Sequence, residues 1–206
     1  MLAISSISTA TYLRAPAPIM NTITPVTKEW ADAQVGVTAP FGMFDPLDLA
    51  PESQEQFMMY REAELAHGRV AMMAALGFFV QEKFHPIFSY ADGPVVRELD
   101  QVLSTSNGML GGSCLLIAIF FSEIQRARVG WVEPEVEYFA LREGYLPGDL
   151  GFDPMGLKPS DPAEFKEMQT KELQNGRLAM IAAAGFLAQE AVTDQTWGTV
   201  YGFPDF

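Results

Sequence analysis

Glu64, His67 and Arg69 fall within six residues of one another, in the string ELAHGRVAM from Glu64 to Met72. A second string, ELQNGRLAM from Glu172 to Met180, repeats the pattern with Asn175 where the first has histidine and Arg177 where it has Arg69. Each string runs into apolar sequence, where ionised groups are tolerated only when paired or functional. On a helix turning ~100° per residue, two side chains five positions apart point ~140° away from each other. Glu64 therefore cannot reach Arg69, nor Glu172 reach Arg177, since only positions three or four apart meet on one helix. Because the strings are copies, an exchange across two crossing helices satisfies both: Glu64 with Arg177, and Glu172 with Arg69. The competing arrangement is two charges that snorkel separately to an interface.

His67 and Asn175 stand three residues after the glutamates and offer a neutral lone pair, on an imidazole nitrogen or an amide oxygen. Gln81 and Gln189, fourteen residues further on, return to within ~40° of that face. Each copy thus carries a ladder of single donors: Glu64, His67, Gln81, then Glu172, Asn175, Gln189. A Ca²⁺ cage or a tetrahedral Zn²⁺ site needs several protein ligands at one point. Magnesium held in a chlorin ring needs only one more hard donor, which oxygen or imidazole supplies. In EIQR, Glu123 and Arg126 are three apart, an ion pair that leaves one carboxylate oxygen for the same task. The plainer role for a histidine in such a helix is a structural hydrogen bond.

The elements that must hold these donors follow from a duplication. At an offset of 108 residues, Phe44 to Glu82 aligns with Phe152 to Glu190 without a gap, and 18 of 39 positions are identical. Each copy opens on FDP, meets a second proline, Pro51 or Pro159, and then shows a helix start: Ser53 with Gln56, and Asp161 with Pro162 and Glu164. No proline interrupts until Pro86 and Pro204, so helices of about 30 residues, roughly 45 Å, are expected. That exceeds the ~30 Å hydrocarbon core of a bilayer and implies tilt. The small residues Gly68, Ala71 and Ala75 share a face with Glu64, as Gly176, Ala179 and Ala183 do with Glu172, which permits close approach of two backbones. Between the copies, Gln101 to Ser122 is a run of 22 uncharged residues, long enough to span a membrane; its alternative is a core helix of a soluble protein. The duplicated helices have only 12 consecutive uncharged residues each, Val70 to Gln81 and Leu178 to Gln189.

An apolar fraction of 49% with 19% charged residues excludes disorder throughout. A net charge of -13 would repel a phosphate backbone, so nucleic acid is excluded as a partner. The single cysteine, Cys114, cannot form an internal disulfide and is expected to be a small buried hydrophobe. Residues 1–27 carry one charge, Arg14, and several hydroxyls, as organelle presequences do; a tail without structure is the alternative. Three other functions fit parts of the pattern. ELAH could serve a di-iron helical-bundle oxidase, but Asn175 spoils the second half of such a site. A small membrane transporter or an assembly factor also fits.

On the strings E..HGR.AM and E..NGR.AM, the repeated FDP and the middle E..R, the chain resembles the light-harvesting chlorophyll-binding superfamily from Gly36 to about Glu190. The resemblance implies an all-α fold of three transmembrane helices, the first and third crossed with pseudo-twofold symmetry, the middle one separate, and a short C-terminal amphipathic segment. It divides the chain into a tail, 1–35, and a pigment-binding membrane domain, 36–206, with repeat one at 44–82, a middle span at 95–128 and repeat two at 152–190. It also implies that Glu64, His67, Glu123, Glu172, Asn175 and Gln189 hold chlorophyll magnesium, with Arg69, Arg126 and Arg177 as ion-pair partners; Gln81 joins them through internal symmetry alone. Two carotenoids would lie in the grooves of the crossed pair, near Phe44, Asp45, Phe152 and Asp153 and along Met72 and Met180. GVTAPFGMFDPLDL is most similar to the chlorophyll a/c branch, with fucoxanthin- or peridinin-type xanthophylls. FHP at Phe84 to Pro86 and REGYLPGDLGFDPMGLKP resemble the stress-related, photoprotective branch. The implied role is a non-enzymatic antenna in the chloroplast thylakoid bilayer, passing excitation to a photosystem core and neighbouring antenna subunits. One departure is that no histidine follows Glu190, so a pigment held on a short C-terminal helix in some relatives lacks its usual ligand. Trp197, Tyr201 and Phe203 are expected at the membrane interface.

Overall fold

The computed structural model describes residues 24–82, 84 and 93–202. The presequence expectation for residues 1–23, His85 and Pro86 of FHP, and Phe203 lie outside the described residues. Among the described residues there are six helices and no strands, only isolated bridges such as Trp131 with Leu141.

A short helix α1 (Lys28–Asp32) is capped by Thr27, whose hydroxyl accepts from the Trp30 N–H. The long helix α2 (Gln54–Gln81) starts after Ser53, as the sequence predicts, but the serine side chain makes no capping bond. The preceding strand-like segment takes over, because the Gln54 N–H donates to the Thr24 carbonyl at 3.0 Å. Repeat one thus uses a neighbouring backbone where repeat two uses its own side chain. In α5 (Pro162–Thr193), Asp161 accepts from the Glu164 N–H and Pro162 occupies the first turn.

The middle of the chain departs from the single span expected over 95–128. It forms two helices, α3 (Val95–Leu103) and α4 (Ser106–Gly130), with the break at Ser104 and Thr105. Both hydroxyls turn back onto the end of α3, Ser104 Oγ donating to the Gln101 carbonyl at 2.6 Å and Thr105 Oγ1 to the Val102 carbonyl at 3.0 Å. Such local bonds compete with helix continuation. Gly108 then lies so close to the Val102 backbone that no Cβ fits, which fixes the turn. α3 carries Arg97, Glu98 and Asp100, so the apolar span begins at Ser106. A final helical turn, α6 (Trp197–Val200), ends the described chain.

α2 and α5 pack along their small-residue faces. A Cβ on Gly68 would stand 3.0 Å from the Gly176 Cα, and the reverse contact is the same, so this is the point of closest approach. Ala71, Leu173 and Ala179 are buried around it, and Phe78 stacks obliquely on Phe186 with ring centroids 5.9 Å apart. By length and composition, α2 and α4 are apolar enough to cross a membrane. α5 is longer than either, yet Lys166, Glu167, Lys171 and Glu172 in its first half keep it short of that measure. α4 stands nearly bare, with Leu110, Leu115, Leu116, Phe120 and Phe121 exposed. Cys114 is exposed on it too, contrary to the burial expected; apolar surface of this extent suits hydrocarbon surroundings.

Candidate functional site

The crossing at Gly68 and Gly176 brings the two strings face to face. Arg177 Nε lies 2.7 Å from Glu64 Oε1, and Arg69 Nε lies 2.7 Å from Glu172 Oε1. Each arginine also donates to a loop carbonyl, Arg177 to Gly36 at 2.8 Å and Arg69 to Gly148 at 2.8 Å. The clasp therefore holds two loops as well as two helices.

The two halves are not equivalent. Arg61 Nη1 sits 2.9 Å from Glu64 Oε2, with its guanidinium over the Phe57 ring. The matching residue of the second copy is Gln169, so among the described residues Glu172 has no second guanidinium and its Oε2 enters no ion pair. Sequence reasoning passed over Arg61, although its three-residue spacing from Glu64 is the standard helical signal.

His67 and Asn175 behave as a matched pair. His67 Nδ1 lies 2.7 Å from the Ala63 carbonyl and Asn175 Nδ2 lies 2.9 Å from the Lys171 carbonyl, each four residues back on its own helix. A carbonyl can only accept, so the histidine carries its proton on Nδ1 and keeps a lone pair on Nε2. The asparagine likewise spends its amide N–H₂ and keeps Oδ1. Both donors point away from the crossing with fixed orientation, as ligands oriented by a second bond do. Gln189 has a buried amide nitrogen that meets no acceptor among the described residues; a metal would be held by its Oε1 instead. Gln81 ends α2 at the corresponding place.

On α4, Arg126 Nη2 lies 3.3 Å from Glu123 Oε2. A cavity of about 540 Å³ opens along α2, bounded by α5 and the end of α4, and is lined by His67, Val70, Arg126, Trp131 and Met180 among others. Among the described residues no three His, Cys, Asp or Glu side chains converge, so every donor stands alone. A macrocycle that already fills four positions of its metal asks for no more than this.

The FDP segments build two further hollows beside the clasp. Asp45 accepts from the Leu49 and Ala50 N–H groups, and Asp153 from those of Leu157 and Lys158. The Leu49 and Ala50 bonds hold the Asp45 carboxyl below its ordinary range, and the Lys158 and Leu157 bonds do the same for Asp153. The aspartates thus close their own loops. Phe44 and Asp45 line a cavity of about 660 Å³ with Glu64 and Arg177, while Phe152 and Asp153 line one of about 360 Å³ with Arg69 and Glu172. Both phenylalanines are exposed. Met72 lies at the crossing beside Gly68 and Gly176, whereas Met180 faces the His67 cavity.

A buried carboxylate that the duplication gives no hint of is Glu62, only 2% exposed. Its Oε2 accepts from the Tyr145 hydroxyl at 3.1 Å and the Gly148 N–H at 2.7 Å. Burial first, then the charge of Glu62, push the Tyr145 hydroxyl up to about 12. At the opposite end of the helices, Glu82 accepts from the Trp197 N–H at 3.1 Å, and Glu190 from the Val96 N–H at 2.9 Å. These bonds, with the Trp197 ring stacked 4.5 Å from that of Phe79, dock α6 and α3. Burial pushes the Glu82 carboxyl up to about 7, with the nearby Glu190 charge adding to the rise.

A family profile described as Chlorophyll A-B binding protein matches residues 30–191. The chain is 48% identical over 199 residues to a fucoxanthin-chlorophyll a-c binding protein of Isochrysis galbana, covering 94% of this chain and 93% of that protein. It is 52% identical over 166 residues to light-harvesting complex stress-related protein 3.2 of Chlamydomonas reinhardtii, covering 76% of this chain and 62% of that one. Over 190 residues it is 31% identical to a chlorophyll a-b binding protein of Petunia hybrida, with coverages of 80% and 62%. The chain thus spans less than two thirds of the length of the last two relatives.

Proposed function

The chain belongs to the chlorophyll a-b binding protein family, and from that premise we propose that it is a light-harvesting antenna subunit that binds chlorophylls and carotenoids in the chloroplast thylakoid membrane. The observation that carries the reading is the matched pair His67 and Asn175, each with its donor N–H bonded to its own helix and a lone pair turned outward. Glu64, Glu172, Glu123, Gln189 and Gln81 complete the set of single magnesium donors. Arg69 and Arg126 neutralise Glu172 and Glu123 through one oxygen each, whereas Glu64 meets Arg177 through Oε1 and Arg61 through Oε2. Bound chlorophyll supplies the light absorption and the excited state; the protein supplies position and local polarity.

In this reading residues 36–206 form one pigment-binding domain with three membrane spans. α2 and α4 have the apolarity for it, and α5 is carried as the third by its crossing with α2, because the exchange of ion pairs neutralises Glu172 and Arg177 where its apolar run begins. The cavities beside Asp45 and Asp153 take the end rings of two carotenoids, whose chains run toward Met72 and Met180 in the α2–α5 grooves. The relative named for fucoxanthin and chlorophyll a-c favours chlorophyll a and chlorophyll c with a fucoxanthin-type over a peridinin-type xanthophyll. Partners are the thylakoid bilayer, a photosystem core and neighbouring antenna subunits. No enzymatic chemistry is assigned.

The test is the visible absorption and fluorescence excitation spectrum of the purified protein. Red and blue-green bands, with carotenoid absorption feeding chlorophyll emission, are expected, and a colourless protein refutes the reading. A second reading, an energy-dissipating member, is favoured by the stress-related relative. A fluorescence lifetime that shortens in acid distinguishes it from an antenna whose lifetime stays long.

A further inference from the structure

We propose that Glu62 is a positioning residue that ties the magnesium donor Glu123 on α4 to the crossed pair α2–α5, and so sets where one pigment sits relative to the others. This rests on the assignment of Glu123 as a chlorophyll ligand. A carboxylate only 2% exposed is costly to bury and persists where several partners hold it. Among the described residues Glu62 has three, all outside its own helix: the Tyr145 hydroxyl and the Gly148 N–H on Oε2, and Arg126 Nε at 3.9 Å from Oε1.

Those partners extend into a continuous chain of polar contacts. The Gly148 carbonyl accepts from Arg69, which grips Glu172 on α5. Arg126 in turn holds Glu123 Oε2 at 3.3 Å, leaving Oε1 available. Two donors on different helices, Glu172 and Glu123, are thereby linked through α2 and the loop after α4. Arg126 stands between two carboxylates, and Glu62 is the one that is fixed; Glu123, with its side chain 52% exposed, takes its place from them.

The second copy has Thr170 at the position of Glu62, and its hydroxyl donates into its own helix, to the Lys166 carbonyl at 2.8 Å. The duplication therefore breaks at this residue. Of the two copies, only α2 carries the socket for Arg126, and this ion pair joins the end of α4 to α2 beside the His67 cavity.

The experiment uses the full chain refolded with chlorophyll a, chlorophyll c and carotenoid, with pigment per polypeptide and the visible circular dichroism as readouts. Glu123→Leu defines the band of the Glu123 pigment, and His67→Leu that of its neighbour. Glu62→Gln keeps the side-chain shape and removes the charge that holds Arg126. It is expected to lose or displace the Glu123 band, up to one chlorophyll per chain, while the His67 band stays. An unchanged Glu123 band overturns the proposal and leaves the ligand assignment standing. Should Glu123→Leu lose no chlorophyll, the assignment fails and the proposal with it. If Glu62→Gln takes up no pigment at all, Tyr145→Phe decides: movement of the Glu123 band alone supports the proposal, and no movement overturns it.

Discussion

Replacing Arg69 with leucine should weaken the protein far more than the same change at Arg177, although the two arginines occupy equivalent places in the duplication. Arg69→Leu strips Glu172 of the cation at 2.7 Å and frees the Gly148 carbonyl. Removing one partner of a buried pair costs ~3–5 kcal/mol. Side chains 39% and 34% exposed lower that to about 2–3 kcal/mol through screening, and the lost carbonyl bond adds ~1 kcal/mol. Arg177→Leu leaves Glu64 with Arg61 at 2.9 Å, whose side chain is only 10% exposed, and leaves the Gly36 carbonyl with Gln174 at 3.1 Å. Its cost is therefore ~1–2 kcal/mol. The gap of about 2 kcal/mol is roughly a 30-fold difference in the unfolding equilibrium, or about 4–8 °C in melting temperature. Thermal unfolding of the pigment-loaded protein in detergent, followed by visible and far-ultraviolet circular dichroism, measures it. The double variant Arg61→Gln, Arg177→Leu should fall to the level of Arg69→Leu. Equal losses for the two single variants, or a double variant no worse than Arg177→Leu, would refute the reasoning.

Gly68→Ala should lower stability by ~1–3 kcal/mol, because its Cβ meets the Gly176 Cα at 3.0 Å, whereas Gly77→Ala, with open space around it, should be neutral or stabilising by up to ~1 kcal/mol; matched melting curves compare them. His67→Leu should release one chlorophyll per chain while the remaining pigments assemble, and unchanged pigment stoichiometry would remove His67 from the ligand set. The Glu82 carboxyl, pushed up to about 7 by burial and Glu190, binds its proton more tightly in the folded than in the unfolded chain. Between about pH 7 and pH 4.5 the folded state holds more protons at this group, so its contribution to stability grows as pH falls through that window. Glu82→Gln should flatten that part of the pH–melting profile, and an unaltered slope would show that Glu82 does not titrate there.

Helix existence and helix partnership were readable from the chain alone. The duplication fixed two like helices, the five-residue separation of Glu64 from Arg69 ruled out pairing within one helix, and the glycine and alanine stripe named the faces that meet. These are consequences of helical pitch, which a sequence carries without any tertiary information. Where the structure added something, the deciding contact was nonlocal or the repeat was broken. The uncharged run from Gln101 to Ser122 hides the turn at Ser104 and Thr105, because hydropathy does not register hydroxyls bonding back to carbonyls. Arg61 and Glu62 have no counterpart in the second copy, so symmetry offered no reason to single them out. That one carboxylate is buried against Tyr145 and Gly148 depends on how the loop after α4 folds back. Periodicity determined which side chains share a face; only the folded chain decided which of them lose water, and the cost of losing it is what separates Glu62 from the many acidic residues that stay exposed.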